Sequence, residues 1–206
     1  MRAMPRPKNQ AERRAHLINA ATRAVIKRGS TGTKLRDIAE AAELTPASVL
    51  YYYPDVQDLY AAVLERGITT YCEHREQEIA AVQGPVEQLR ACIRSGVPWP
   101  GEAEQNTRLL FELFPVVLRN EAAAEQDRVF VARQAELYRD VLQRGADGGD
   151  FALAGAAPAL ARSFVALEDG YAIELMIGAA TAEEIEARLL AHARLVTGNP
   201  AFTPGN

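Results

Sequence analysis

The sequence predicts an all-α chain, and three observations predict it. Apolar residues recur at i, i+3, i+4 and i+7 in one segment after another, the period of a helix with one buried face. Cap residues, Gly and Pro punctuate these segments where helices start and stop. No alternating run convincing as a strand, no internal repeat and no low-complexity tract interrupts them. At 206 residues the chain can bury a sizeable core without disulfides or metal.

The chain opens on a Pro- and Arg-rich arm, residues 1–8. It is either a basic arm that follows a polyanion or a start whose charge is incidental. Asn9 and Glu12 nearly make a capping box for a helix running to about Arg28, with Leu17, Ile18, Ala21 and Val25 as its stripe and Gly29 as its stop. Leu35, Ile38, Ala39 and Ala42 form the stripe of a short second helix, which a tight break at Glu43-Leu44 ends. Thr45 caps the third helix and Pro46 takes its first position, where a missing N–H costs nothing. Leu44 and Val49 are spaced for a hydrophobic staple. With Val49 at the centre of the buried face, Pro46, Tyr52 and Tyr53 fall on or beside it. Ser48 and Leu50 lie on its flanks, and Ala47 and Tyr51 point away. Two short helices across so tight a turn describe a helix-turn-helix. The small residues opening the second would let its N-terminus approach base edges in a major groove. The plainer alternative is a helical hairpin whose three tyrosines are ordinary core.

Asp55 caps a long fourth helix, about 56–81, with Leu59, Val63, Ile68 and Ile79 among its apolar positions and Asp58 in its first turn. Gly84-Pro85 opens a fifth, which ends before the Pro98-Trp99-Pro100-Gly101 loop. The sixth carries Leu109, Leu110, Phe111, Leu113 and Phe114, and Pro115 bends or stops it. The seventh covers 121–144, with Gly145, Gly148 and Gly149 after it. The penultimate helix, about 158–177, has one stripe of Leu160, Phe164, Leu167 and Tyr171 and another of Ile173, Met176 and Ile177. Thr181 and Glu184 box the start of the last, whose face holds Ile185, Leu189 and Val196. A helix apolar on two sides must be covered on two sides, which predicts that these last two helices pair with their counterparts in a second copy.

The net charge of −4 hides a split. Residues 1–54 hold ten Lys and Arg against four acids, leaving thirteen basic and twenty-three acidic residues beyond them. Such polarity suits a basic head that meets a polyanion and an acidic body that does not, although a solvated basic face would show the same composition. We therefore divide the chain into 1–54, arm and helix-turn-helix, and 55–206, a helical body. Cys72 and Cys92 lack metal or redox spacing and read as reduced structural thiols. Without a signal-like start or an apolar run of membrane-spanning length, the sequence predicts a cytoplasmic protein.

The stretch T-K-L-R-D-I-A-E-A-A-E-L-T-P-A-S-V-L-Y-Y-Y-P-D-V-Q-D-L, from Thr33 to Leu59, closely resembles the helix 2 to helix 4 signature of TetR-family transcriptional regulators. The resemblance is specific over about 11–60 and extends beyond only in helix number and length. It implies a homodimer with one helix-turn-helix per subunit, a palindromic double-stranded DNA operator, and a helical body whose small-molecule ligand shifts helix 4 and respaces the heads. On it, Lys34, Arg36, Thr45, Pro46, Ala47, Ser48, Leu50, Tyr51 and Tyr52 are the expected DNA contacts. Three departures matter. Ala47 replaces a common Gly, Leu50 replaces a common Tyr and so removes a phosphate-binding hydroxyl, and Val56 stands where a Lys often anchors phosphate.

Catalytic spacing is absent: His16, His74 and His192 are scattered, and no Gly-x-Ser-x-Gly, His-Glu-x-x-His or phosphate loop occurs. No cofactor or metal is expected. Trp99, Phe111, Phe114, Tyr138, Phe164, Glu168 and Tyr171 are the candidate effector-pocket residues, with Glu168 and Tyr171 as a polar handle. Plain core is the competing account of the aromatics, and a solvated stretch or dimer contact that of Glu168-Asp169-Gly170. The sequence thus predicts a ligand-released dimeric repressor. The alternatives are a constitutive DNA-binding dimer and, more remotely, a helical enzyme.

Overall fold

The computed structural model describes residues 7–203, with side chains from Gln10 onward. Among them are nine α-helices and no strand: α1 Pro7–Arg28, α2 Leu35–Ala41, α3 Pro46–Tyr52, α4 Val56–Ala80, α5 Pro85–Gly96, α6 Glu102–Val117, α7 Glu121–Asp147, α8 Ala157–Met176 and α9 Ala182–Thr197. A 3₁₀ turn, Pro200–Phe202, follows α9. The predicted arm lies outside the described residues as far as Arg6. Asn9 is not a cap: α1 begins two residues earlier, at Pro7, the residue type best tolerated at a helix start.

Two compact units form, and neither is one stretch of sequence. The first takes the chain up to Ile68 together with Arg108–Asp127; the second takes Thr69–Thr107 together with Arg128 onward. A division at residue 54 does not coincide with this. Pro54 precedes a continuous helix whose opening turns bury Leu59, Tyr60, Val63 and Leu64 in the same core as Leu17, Val25, Ile38 and Val49. Leu109, Leu113, Val116 and Val117 of α6 and Ala123 of α7 complete that core. A three-helix head buries too little alone, and these additions enlarge it.

Punctuation in the first unit follows the sequence. Gly29, at φ 72°, ends α1 in the left-handed region. Glu43 turns the chain between α2 and α3 with φ 54°, a conformation an L side chain rarely adopts. The Thr45 hydroxyl accepts from Ser48 N at 3.1 Å and caps α3, and Asp55 Oδ1 accepts from Gln57 N at 2.9 Å at the start of α4. Pro115 does not stop α6, which continues to Val117.

The second unit packs α5, α7, α8 and α9 around Leu89, Ile93, Tyr138, Leu142, Phe164, Val165, Ile185 and Leu189. Thr181 and Glu184 form the predicted capping box on α9. The glycine expected to end α7 lies inside it. A Cβ on Gly145 would sit 2.1 Å from the Phe151 ring, so this glycine makes room for an aromatic rather than a helix stop. Phe151 in turn meets Phe202 of the 3₁₀ turn at 5.9 Å between ring centres, an anchor the sequence reading lacked. On α8, Ala161, Phe164, Val165, Glu168 and Ala172 are buried, while Ile173 and Ile177 remain exposed at 49% and 73%.

Candidate functional site

The exposure of α3 follows the 3.6-residue period. Val49 is 1% exposed, Tyr51 64% and Leu50 40%, with Thr45, Pro46 and Ala47 open to solvent and Ser48 and Tyr52 half-buried. Pro46 departs from its expected place beside the buried face, because the first turn of α3 projects beyond the core that Val49 and Tyr53 enter. Tyr51 and Tyr52 meet edge to face at 5.1 Å, giving the open side a stiff aromatic corner. The hydroxyls of Thr45 and Ser48 lie 2.9 Å apart and are partly engaged by the cap. The first turn therefore offers few free donors. Lys34 and Arg36, at the start of α2, are exposed. Asp37 Oδ2 accepts from Lys34 N at 2.8 Å, which closes the front of α2 and leaves the Lys34 ammonium unused by the cap.

This surface is braced from behind. Two short helices leave orphan carbonyls at their ends. Arg23 Nη2 donates to Ala41 O at 2.9 Å, and His16 Nε2 lies 2.9 Å from Ala42 O, so α1 side chains satisfy the end of α2. Tyr60 Oη donates to Thr33 O at 3.1 Å, tying the α1–α2 loop to α4. Burial pushes the Tyr60 phenol up, with the Asp37 charge adding to the effect, so it stays a donor. The sequence reading left these bracing residues out. Arg23 counted there as head charge and His16 as a stray imidazole, because a side chain aimed at a distant backbone carbonyl leaves no spacing signature.

The seven pocket candidates are divided between the two compact units. Phe111 and Phe114 belong to the first unit, and the other five to the second. Phe114 is 47% exposed. Trp99 donates its Nε1–H to Arg94 O at 3.0 Å and stacks under the Arg94 guanidinium. Tyr171 lies under Arg188. Tyr138 and Phe164 stack in parallel at 4.5 Å inside the core. Glu168 is neither a solvated residue nor a free handle. Its carboxylate is buried and pairs end-on with Arg75, Nη1 to Oε2 and Nη2 to Oε1, both at 2.9 Å.

Arg75 is the residue the sequence reading missed. Fully buried on α4, it also donates to Tyr71 Oη at 3.0 Å, Gln134 Oε1 at 3.1 Å and Cys92 O at 2.9 Å. Tyr138 Oη donates to Glu168 Oε1 at 2.5 Å. The rings of Tyr71 and Tyr138 lie 5.4 and 5.3 Å from the guanidinium carbon. Burial opposes the charge on Arg75, and Glu168 more than offsets that, holding the guanidinium well above its ordinary pKa. Burial also raises the phenols of Tyr71 and Tyr138, which stay protonated. A signal did exist. Ile68, Cys72, Arg75 and Ile79 step 4-3-4 along α4, so one cation sits in an otherwise apolar stripe, as Glu168 does on α8.

Among the described residues no group of three or more His, Cys, Asp and Glu is placed to hold a metal, and no helix is long and apolar enough to cross a membrane. A family model for bacterial regulatory proteins of the tetR family matches residues 17–63, and one for the C-terminal region of BetI-type transcriptional repressors matches 85–197. The HTH-type transcriptional regulator HbdR of Aromatoleum sp. is 30% identical over 83 residues, 40% of this chain and 36% of that protein. The regulator BetI of Burkholderia lata is 31% identical over 93 residues, 44% of this chain and 47% of that one. The chain thus spans less than half the length of these curated relatives. A chain from Saccharomonospora viridis, solved in complex with choline, shares the fold at 20% identity, with TM-score 0.81 over 87% of this chain and 94% of its own. These matches point to a regulator rather than an enzyme. With the braced helix-turn-helix in residues 17–63 and the helical unit in 85–197 both matched, the chain belongs to the TetR family of transcriptional regulators.

Proposed function

We propose that the chain is a homodimeric repressor that grips a palindromic operator through α2 and α3 and lets go when a small molecule binds its second unit. The observation that carries this is the exposure of α3: an apolar anchor at Val49, an open Ala47–Tyr51 side, and the cations Lys34 and Arg36 at the start of the adjoining helix. A small first turn can approach base edges, and flanking cations fix the duplex by its phosphates. Pro46, Ala47 and the cap-engaged Ser48 supply few directional donors, so base choice leans on thymine methyls, water and DNA shape.

For release, α4 is the natural transmitter. It contributes Leu59 and Val63 to the core of the first unit and Ile79 to that of the second. Heads reading adjacent major grooves must stand about 34 Å apart, and a few ångström of shift in α4 spoils that register. A ligand acts only through a difference in its affinity for the two arrangements. The test is a fluorescence-anisotropy titration with duplexes from the DNA flanking the gene, repeated with a panel of candidate small-molecule effectors. Saturable binding that an effector reverses supports the reading. Binding that no effector alters makes this a constitutive DNA-binding dimer, and no binding above that to random duplex overturns the DNA-binding role.

A further inference from the structure

The surroundings of Arg75 have the composition of a receptor for an organic cation. Cation recognition calls for an opposite charge, aromatic faces and carbonyl acceptors in a dry shell. Glu168 provides the charge, Tyr71 and Tyr138 the faces, and Cys92 O and Gln134 Oε1 the carbonyls, each within the second unit. The wall is closed by Gly96, where an added Cβ would fall 1.8 Å from Glu168 Oε1 and 2.9 Å from Arg75 Nη2. These groups come from α4, α5, α7 and α8, yet the cation they enclose is a side chain of α4 itself.

We propose that this cage is an organic-cation site with a built-in occupant: Arg75 fills it, bars free cations such as choline from it, and leaves a competent guanidinium site when truncated. The shell already pairs both terminal nitrogens of a guanidinium and leaves only the Nε position without a partner, so little reorganisation stands between the filled cage and one that takes an alkylguanidinium from solution. Glu168 carries the discrimination. Without Arg75 its carboxylate keeps only the Tyr138 hydroxyl among its present partners, and a buried unpaired charge draws in a cation. This goes beyond the regulatory reading and stands on the cage alone; its readout is thermal, so its failure leaves DNA binding untouched, and the reverse holds too.

The experiment compares the melting temperature of the full-length wild type, Arg75→Ala and the double variant Arg75→Ala/Glu168→Gln in ethylguanidinium chloride, choline chloride and sodium chloride. Arg75→Ala should melt roughly 10 °C below wild type. Millimolar ethylguanidinium should restore several degrees of that in a saturable way. Wild type and the double variant should respond to neither organic cation beyond the sodium chloride control. If Arg75→Ala does not fold unaided, its refolding yield with and without ethylguanidinium is the readout, and recovery only with the cation supports the site. An equal yield in both, an equal response of wild type and Arg75→Ala, or a restoration that sodium chloride matches would overturn it.

Discussion

Gly96 and the Arg75–Glu168 pair depend on each other. The backbone of α5 passes so close to Glu168 that no side chain fits between, and the carboxylate cannot retreat without leaving its guanidinium. Gly96→Ala should therefore cost roughly 3 kcal/mol, combining overpacking with a loosened buried ion pair. Thermal melts would show this as a drop of about 6–12 °C, and a drop near zero would mean that the pair slides aside freely. Cys92 reports on the same cage. Burial pushes its thiol up to about 12, against an ordinary thiol near 8.5 in the unfolded chain. A raised folded value stabilises the native state fully below the unfolded one, and that contribution is lost as pH climbs from about 8.5 through 12. Burial raises Cys72 too. At pH 8.5 both thiols should resist iodoacetamide until the protein unfolds, with alkylation following the denaturation curve; rapid labelling under native conditions would contradict a closed cage.

At the scale of elements, whatever is local in sequence was legible. Thr45-Pro46 and Thr181…Glu184 fixed two helix starts to the residue, because a cap is decided by side chains within four positions. Gly145 misled for the opposite reason: its cause, Phe151, acts through packing, and the same letter serves as helix stop and as clearance. The compact units were not legible at all, since α6 and α7 contribute to the first through contacts between distant segments. On α3 the open and buried sides followed from period alone except at Pro46, while the cage required a cation on one stripe and an anion on another to be read as partners. The exposed apolar face of α8 keeps the period that predicted an association. Ala159, Ala166, Gly170, Ile173 and Ile177 all lie open, and with half-buried Ser163 they step 4-3-4-3-4, the spacing of a helix-packing seam. Ile173→Glu should convert a dimer into a monomer in analytical ultracentrifugation with its melting curve otherwise cooperative. A dimer that survives this change must be built on some other face.

For the whole molecule, charge placement matters more than its total. A chain of net charge −4 should avoid DNA if its charges were evenly spread, whereas ten cations against four acids give the first 54 residues the opposite sign. Each phosphate neutralised releases counterions, so log affinity falls with log salt by about 0.9 per contact. Lys34 suits a count of such contacts. It is exposed, and the backbone N–H that Asp37 accepts from survives any side-chain change, so Lys34→Ala removes a charge without uncapping α2. If two heads engage a palindromic operator, the substitution removes two phosphate contacts and flattens the salt slope by about 1.8; if one head binds, by about 0.9. Combined with Ile173→Glu, the same substitution should flatten the slope by only the single-head amount, because a monomer presents one Lys34. A slope that Lys34→Ala leaves unchanged in both backgrounds would place the phosphate contacts elsewhere on the head. A two-head change persisting in the Ile173→Glu protein would mean that DNA itself pairs the subunits.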